Sequence, residues 1–167
     1  MVLAANLVSL IGCVLMVAVG FIKDKNRILL TQCVQFSFQG AAHLMLGAVS
    51  GLVCCLVSIL RNVVFIRVKS TVWLKVGFIF LQVAMTLCFS KFSPIELLPI
   101  LATVVFNWFL DTKDPVKFKI VIITAQLMWL VYDFYYVNYV AGIFDVMAVL
   151  SNLSGIGMIL HKEKKHR

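Results

Sequence analysis

Seven apolar runs separated by short polar breaks follow one another along the chain: residues 2–22, 28–47, 52–66, 72–90, 95–110, 118–137 and 141–160. Each approaches the roughly 20 residues a helix needs to cross ~30 Å of hydrocarbon. The pattern predicts an all-α membrane protein of seven transmembrane helices. The third and fifth runs are short and reach into the interface. Uncharged turns are expected at residues 48–51 and 138–141.

The polar positions inside these runs are ordered. Gln32, Gln35, Gln39 and His43 recur at spacings of 3, 4 and 4, which places them on one face of the second helix. The sixth run repeats the device with Gln126, Trp129, Asp133 and Tyr136 at 3, 4 and 3. In lipid such faces turn inward, either to line a cavity or to act as interhelical glue at about 0.6 kcal/mol per bond. Sliding the first half by 90 residues pairs Leu7 with Leu97, Lys23–Asp24 with Lys113–Asp114, and Asn62 with Asn152. It also pairs rare polar positions: Asn6 with Glu96, Ser9 with Pro99, His43 with Asp133 and Cys55 with Asp145. The two triplets of runs have the same orientation. The plan is therefore two parallel three-helix repeats joined by one linker helix, a transporter architecture with its site near midplane. The units are residues 1–70, the linker helix 71–91, residues 92–161 and a basic tail 162–167.

Composition agrees with this class. Mean hydropathy is +1.03 and charged residues make up 13% of the chain, against ~25% in soluble domains. The net charge of +8 does not point to nucleic acid, because the basic residues sit in short connections. Lys23, Lys25 and Arg27, then Arg67, Lys69 and Lys75, then Lys113, Lys117 and Lys119, and finally Lys162, Lys164, Lys165 and Arg167 all fall on one side. Lys91 is on the other side, and Arg61 lies within the membrane. The positive-inside rule then puts the N-terminus outside and the C-terminus in the cytoplasm. The first run has no charged segment before it, as expected of an uncleaved span rather than a signal peptide. Cys13, Cys33, Cys54, Cys55 and Cys88 lie in apolar runs without metal-ligand spacing, so packing thiols are expected and neither metal nor cofactor is implied.

Candidate chemistry collects at two depths. Gln39 lies ~16 Å along its helix at 1.5 Å per residue. Trp129, Asn62 and Asn152 have similar depths, giving a middle layer of amides and an indole that suits a polar, ring-containing solute. Arg61 can clamp a carboxylate or phosphate, or pair with Asp145 or Asp133. A charge at that depth costs at least ~2.5–3.5 kcal/mol in lipid. Nearer the outside, His43, Asp133 and Glu96 form a group fit for a proton relay or a static gate. Asp145 joins that group or caps against the outer turn. Tyr132, Tyr135, Tyr136 and Tyr139 fit an interfacial belt, and the basic tail fits contact with anionic lipid.

The run Ser93-Pro94-Ile95-Glu96-Leu97-Leu98-Pro99 leading to Trp108, the run His43-Leu44-Met45-Leu46-Gly47 and the downstream Arg61 resemble the YgjV family of bacterial inner-membrane proteins. The helix plan also resembles the wider SWEET and PQ-loop superfamily of carriers and cargo receptors. This resemblance implies the 3+1+3 fold and the inner membrane as location. In the superfamily's sugar carriers, paired asparagines and a tryptophan contact substrate. Asn62, Asn152 and Trp129 match those positions, and Gln39 replaces a second tryptophan. The superfamily's Pro-Gln pair is absent: Ser9 stands in the first run, and Pro99, a candidate hinge, precedes Ile100 in the fifth. Half-size members of the superfamily dimerise. This chain holds both halves, which leaves a homo-oligomer open.

The expectation is a bilayer-embedded transporter of a small polar solute, bound by Asn62, Asn152, Trp129, Gln39 and Arg61. The alternative is a receptor or scaffold of the same fold that does not transport. An enzyme is not expected, since no nucleophile–base spacing or metal motif is present.

Overall fold

The computed structural model describes residues 1–19, 25–68, 71–89, 93–109, 112 and 114–165. Its elements are all helical: α1 (Val2–Val19), α2 (Lys25–Leu46), α3 (Val49–Arg67), α4 (Val72–Phe89), α5 (Pro94–Phe109), α6 (Pro115–Tyr135) and α7 (Tyr139–Lys165). Each predicted run corresponds to one helix. Lys23, Lys69, Lys91, Lys113 and Arg167, and the run ends at residues 20–22, 90 and 110, lie outside the described residues.

Among the described residues, four helices contain stretches long and apolar enough to cross a membrane: Val49–Arg67, Val72–Phe89, Val116–Tyr135 and Tyr139–His161. α1 and α5 are apolar but shorter. α2 falls outside both groups, because four inward polar side chains and a basic first turn dilute its apolar residues. Burial is inverted relative to a water-soluble domain. Leu3, Leu7, Val14, Leu56, Phe80, Leu127, Leu150 and Met158 are exposed. Polar residues are as numerous as apolar ones among the buried positions described. That distribution suits a chain whose solvent is hydrocarbon, where polar groups gain most from facing each other.

The helix ends explain the differences from the expected boundaries. α2 stops at Gly47, whose φ of 74° is open to glycine without steric cost. Gly47 N donates to Leu44 O at 3.2 Å and Ala48 N to His43 O at 2.9 Å. This paired closure of a helix end is compact, so α3 begins at Val49 and the expected four-residue turn shrinks to Gly47–Ala48. α6 ends in the same way. Val137 has φ 61°, Val137 N donates to Phe134 O at 3.2 Å, and Asn138 N to Asp133 O at 2.9 Å. Every donor and acceptor of the second turn stands 90 residues after its counterpart in the first. α6 starts earlier than expected because Asp114 caps it, accepting from Val116 N at 2.9 Å and Lys117 N at 3.1 Å, with Pro115 in the first turn.

α2 packs between α1 and α3, and α6 packs between α5 and α7. The two triplets meet through α1 against α7 and through α3 against α5. These six helices close a ring, and α4 rests outside it on α3 and α5. The apolar core lies on that outer side, where Val53, Val57, Phe65 and Phe78 cluster and Phe65 meets Phe78 edge-on at 5.7 Å. The centre of the ring mixes polar side chains with aromatic and small apolar ones.

Candidate functional site: a cavity between the helix triplets

The inward faces of the ring line a partly open cavity of about 250 Å³. Pockets for drug-sized ligands run to ~300–1,000 Å³, so this volume suits a smaller solute. All six ring helices contribute to the wall and α4 contributes none. Of twenty lining residues, sixteen form eight pairs 90 positions apart, among them Cys13 with Thr103, Met16 with Phe106, Phe36 with Gln126, Gln39 with Trp129, His43 with Asp133 and Cys55 with Asp145. Corresponding positions of the two triplets therefore face one space. The exceptions are Ser58, Arg61, Ala102 and Ala141.

Arg61 reaches the wall from α3 and is buried. Its Nε and Nη2 both donate to Asn62 Oδ1 at 3.3 Å, and Nη1 donates to Asn107 Oδ1. Asn62 Nδ2 in turn donates to Gln32 Oε1 at 3.2 Å. The guanidinium is thus held by amide oxygens. The expected alternative, an ion pair with Asp133 or Asp145, is not formed among the described residues.

The acids gather nearer the turns that follow α2 and α6. Asp133 Oδ1 accepts from Asn138 Nδ2 at 3.0 Å, lies 3.8 Å from His43 Nδ1, and neighbours the Asp145 carboxyl. His43 Nδ1 and Asp145 Oδ2 have no hydrogen-bond partner among the described residues. The His43 ring stacks on Trp129 at 5.8 Å with 24° between planes, and Tyr132 closes edge-on against both. Gly51 makes this packing possible, since a Cβ there would lie 2.9 Å from both the His43 and Tyr132 rings. Gln39 is turned toward α1, accepting from Ser9 Oγ at 3.0 Å and donating to Cys13 Sγ at 3.2 Å.

The remaining predicted site residues stand apart from the cavity. Asn62 is fully buried behind Arg61. Asn152 donates to Ala148 O of its own helix at 2.8 Å and accepts from Lys119 Nζ at 3.4 Å. The structure thus brings Gln39, Arg61, Trp129, His43, Asp133 and Asp145 to one wall and leaves the two asparagines off it. Pro99 is buried inside α5, which continues through it. Glu96 lies at the other end of a latch. Its Oε2 accepts from Ser50 N at 3.1 Å and its Oε1 from the Tyr136 hydroxyl. Asn6 Oδ1 accepts from Val140 N at 3.0 Å, and Asn6 Nδ2 donates to Val137 O at 3.0 Å. Glu96 is 90 residues after Asn6, and Val140 is 90 after Ser50. The first helix of each triplet therefore grips the start of the other triplet's third helix.

Two residues were missed from sequence. Asn107 holds Arg61, and its signal was an amide in an otherwise apolar run. Tyr132 is fully buried rather than part of a belt, with its hydroxyl bonded to Ser50 Oγ at 3.0 Å and accepting from Gly51 N at 2.8 Å. Tyr135 and Tyr139 are exposed. The five cysteines are free, and among the described residues no group of three or more His, Cys, Asp or Glu side chains is arranged to hold a metal ion.

No curated protein and no solved structure matches the chain. Residues 3–163 match the family model of the bacterial inner membrane protein YgjV. A match over nearly the whole chain, on seven helices with lipid-type surfaces and a polar interior, places it plainly: the chain belongs to the YgjV family of bacterial inner membrane proteins.

Proposed function

We propose that the protein is a small polar-solute transporter whose site is the cavity between two parallel three-helix repeats. The observation that carries this reading is the pairing of the wall at a 90-residue offset, with the latches Asn6–Val140 and Glu96–Ser50 related by the same offset. A pseudo-symmetric pair of bundles around one central site has the geometry for exposing that site to either side in turn. All seven helices cross the bilayer in this reading, with the N-terminus outside, the C-terminus in the cytoplasm and α4 returning the chain between repeats. The arrangement is like that of the SWEET and PQ-loop carriers.

In this account Gln39, Trp129 and Arg61 contact the solute directly. Asn62 acts by fixing Arg61, and Asn152 closes the cytoplasmic side with Lys119. His43, Asp133 and Asp145 form the proton-bearing end, Glu96 is part of the outer gate, and Pro99 is the hinge. Pro99 has no N–H to give the Ile95 carbonyl, which leaves α5 one helical bond short near the latch.

Thermal unfolding of the purified protein against a metabolite panel tests the site. A solute at a hundred times its dissociation constant adds about 2.7 kcal/mol of stability. A stabilising solute that also exchanges across proteoliposome membranes supports the transporter. A solute that stabilises without any counterflow supports the receptor or scaffold instead.

A further inference from the structure

We propose that the solute carries a single negative charge, as a carboxylate does, and that Arg61 is the residue that receives it. The proposal rests on the transporter reading and names the substrate class of the same site.

Arg61 is a buried cation in a cavity wall without an anionic partner among the described residues. Its acceptors, Asn62 Oδ1 and Asn107 Oδ1, are neutral. Amide oxygens satisfy N–H groups, but they do not supply the counter-charge that a desolvated guanidinium lacks. A guanidinium has five N–H donors, and the bonds to Asn62 and Asn107 occupy three of them. The two left can donate charge-assisted hydrogen bonds to a carboxylate.

The lining of the cavity sets the charge at one. Arg61 is the twelfth residue beyond Val49 and Asp145 the sixth beyond Tyr139, the equivalent helix starts. The Cα positions of the two residues are thus offset by ~9 Å along the helix axes. Arg61 is the one Lys or Arg among the lining residues described, so a dianion would find a permanent cation for only one of its two charges. A monoanion can place its charge at Arg61 and an uncharged body against Phe36, Phe106 and Trp129, which also line the wall.

The test compares acids with their uncharged isosteres. Wild-type protein is melted with propionate and propionamide, benzoate and benzamide, inorganic phosphate, and glucose. Arg61→Gln and Arg61→Lys are melted with the same set. Stabilisation by a carboxylate and not by its amide, lost at least about tenfold in affinity in Arg61→Gln and only partly in Arg61→Lys, supports the proposal. The acid–amide contrast in wild type stands even if Arg61→Gln fails to fold. Equal shifts from acid and amide, no shift from any carboxylate, or a larger shift from phosphate than from both acids overturns it. Stabilisation by glucose alone, equal in wild type and Arg61→Gln, overturns the role of Arg61 while leaving a polar-solute carrier in place. A carboxylate that binds through Arg61 without counterflow keeps the anion site and removes the transporter.

Discussion

Arg61 shows how a membrane interior changes the weight of single hydrogen bonds. Its guanidinium is held in the wall of the ring by the oxygens that Asn62 and Asn107 present to it. Replacing Asn62 with Ala removes two of those bonds and leaves Gln32 Oε1 without its donor. The expected loss is about 1–3 kcal/mol, the range for a buried group left unsatisfied. It reads as a lower midpoint of thermal unfolding in detergent. An unchanged midpoint would mean that water holds the guanidinium. The same residue marks what the sequence makes legible. A lone Arg and an amide stripe inside apolar runs are visible to anyone counting polar positions. Their partners are not, because whether Arg61 turns to Asn107 or to Asp145 depends on how α3 is rotated against α5 and α7, and periodicity along one helix does not encode that. Asn62 and Asn152 looked alike by offset, yet one is locked behind Arg61 and the other bonds Lys119. Their immediate neighbours differ, so the repeat does not fix their environments.

At the scale of elements, the two short turns carry the clearest sign of duplication. Gly47 and Val137 occupy the same place in the same hydrogen-bonded closure, both at positive φ. No atom lies within 4 Å of a Cβ added at Gly47, so Gly47→Ala tests backbone conformation alone. It is expected to cost about 1–2 kcal/mol. Val137 is β-branched at an angle such residues avoid, and Val137→Gly is expected to raise stability by about 1 kcal/mol. Opposite signs from the pair, measured by thermal unfolding, would tie both turns to the same conformation. A loss in both would instead make Val137 a packing residue. The latches belong to the same scale. Asn6 grips the turn after α6, and Glu96 bonds both the start of α3 and Tyr136 of that same turn. Asn6→Leu and Glu96→Leu should each destabilise by about 1–3 kcal/mol through an orphaned backbone N–H, and the double variant should depart from their sum, because Asn6 and Glu96 hold the adjacent residues Val137 and Tyr136. The pairing of Asn6 with Glu96 by offset was readable from sequence. Its meaning was not, since the partner of each is a backbone N–H that no side-chain pattern announces. The earlier starts of α3 and α6 were hidden for a related reason: Val49 and Pro115 became helical through turn and cap geometry rather than through their hydropathy.

For the whole molecule, the ring around a small central cavity is the feature on which function turns. Hydropathy alone located seven helices and the inverted distribution of polar residues. It did not show that α4 stands outside the ring or that eight offset pairs meet at one wall. If the two triplets rock about that wall, a residue lining it must become reachable from each side of the membrane. Cys55 is such a residue, on α3 opposite its partner position Asp145. The most direct measurement uses a variant in which Cys13, Cys33, Cys54 and Cys88 are serine, leaving Cys55 as the one thiol. A small, membrane-impermeant cationic methanethiosulfonate is applied to right-side-out and to inverted membrane vesicles. The account predicts modification of Cys55 in both preparations, faster after Glu96→Leu opens the outer latch. Modification from one side alone, unchanged by Glu96→Leu, would contradict alternating access and leave a cavity that receives a solute without carrying it across.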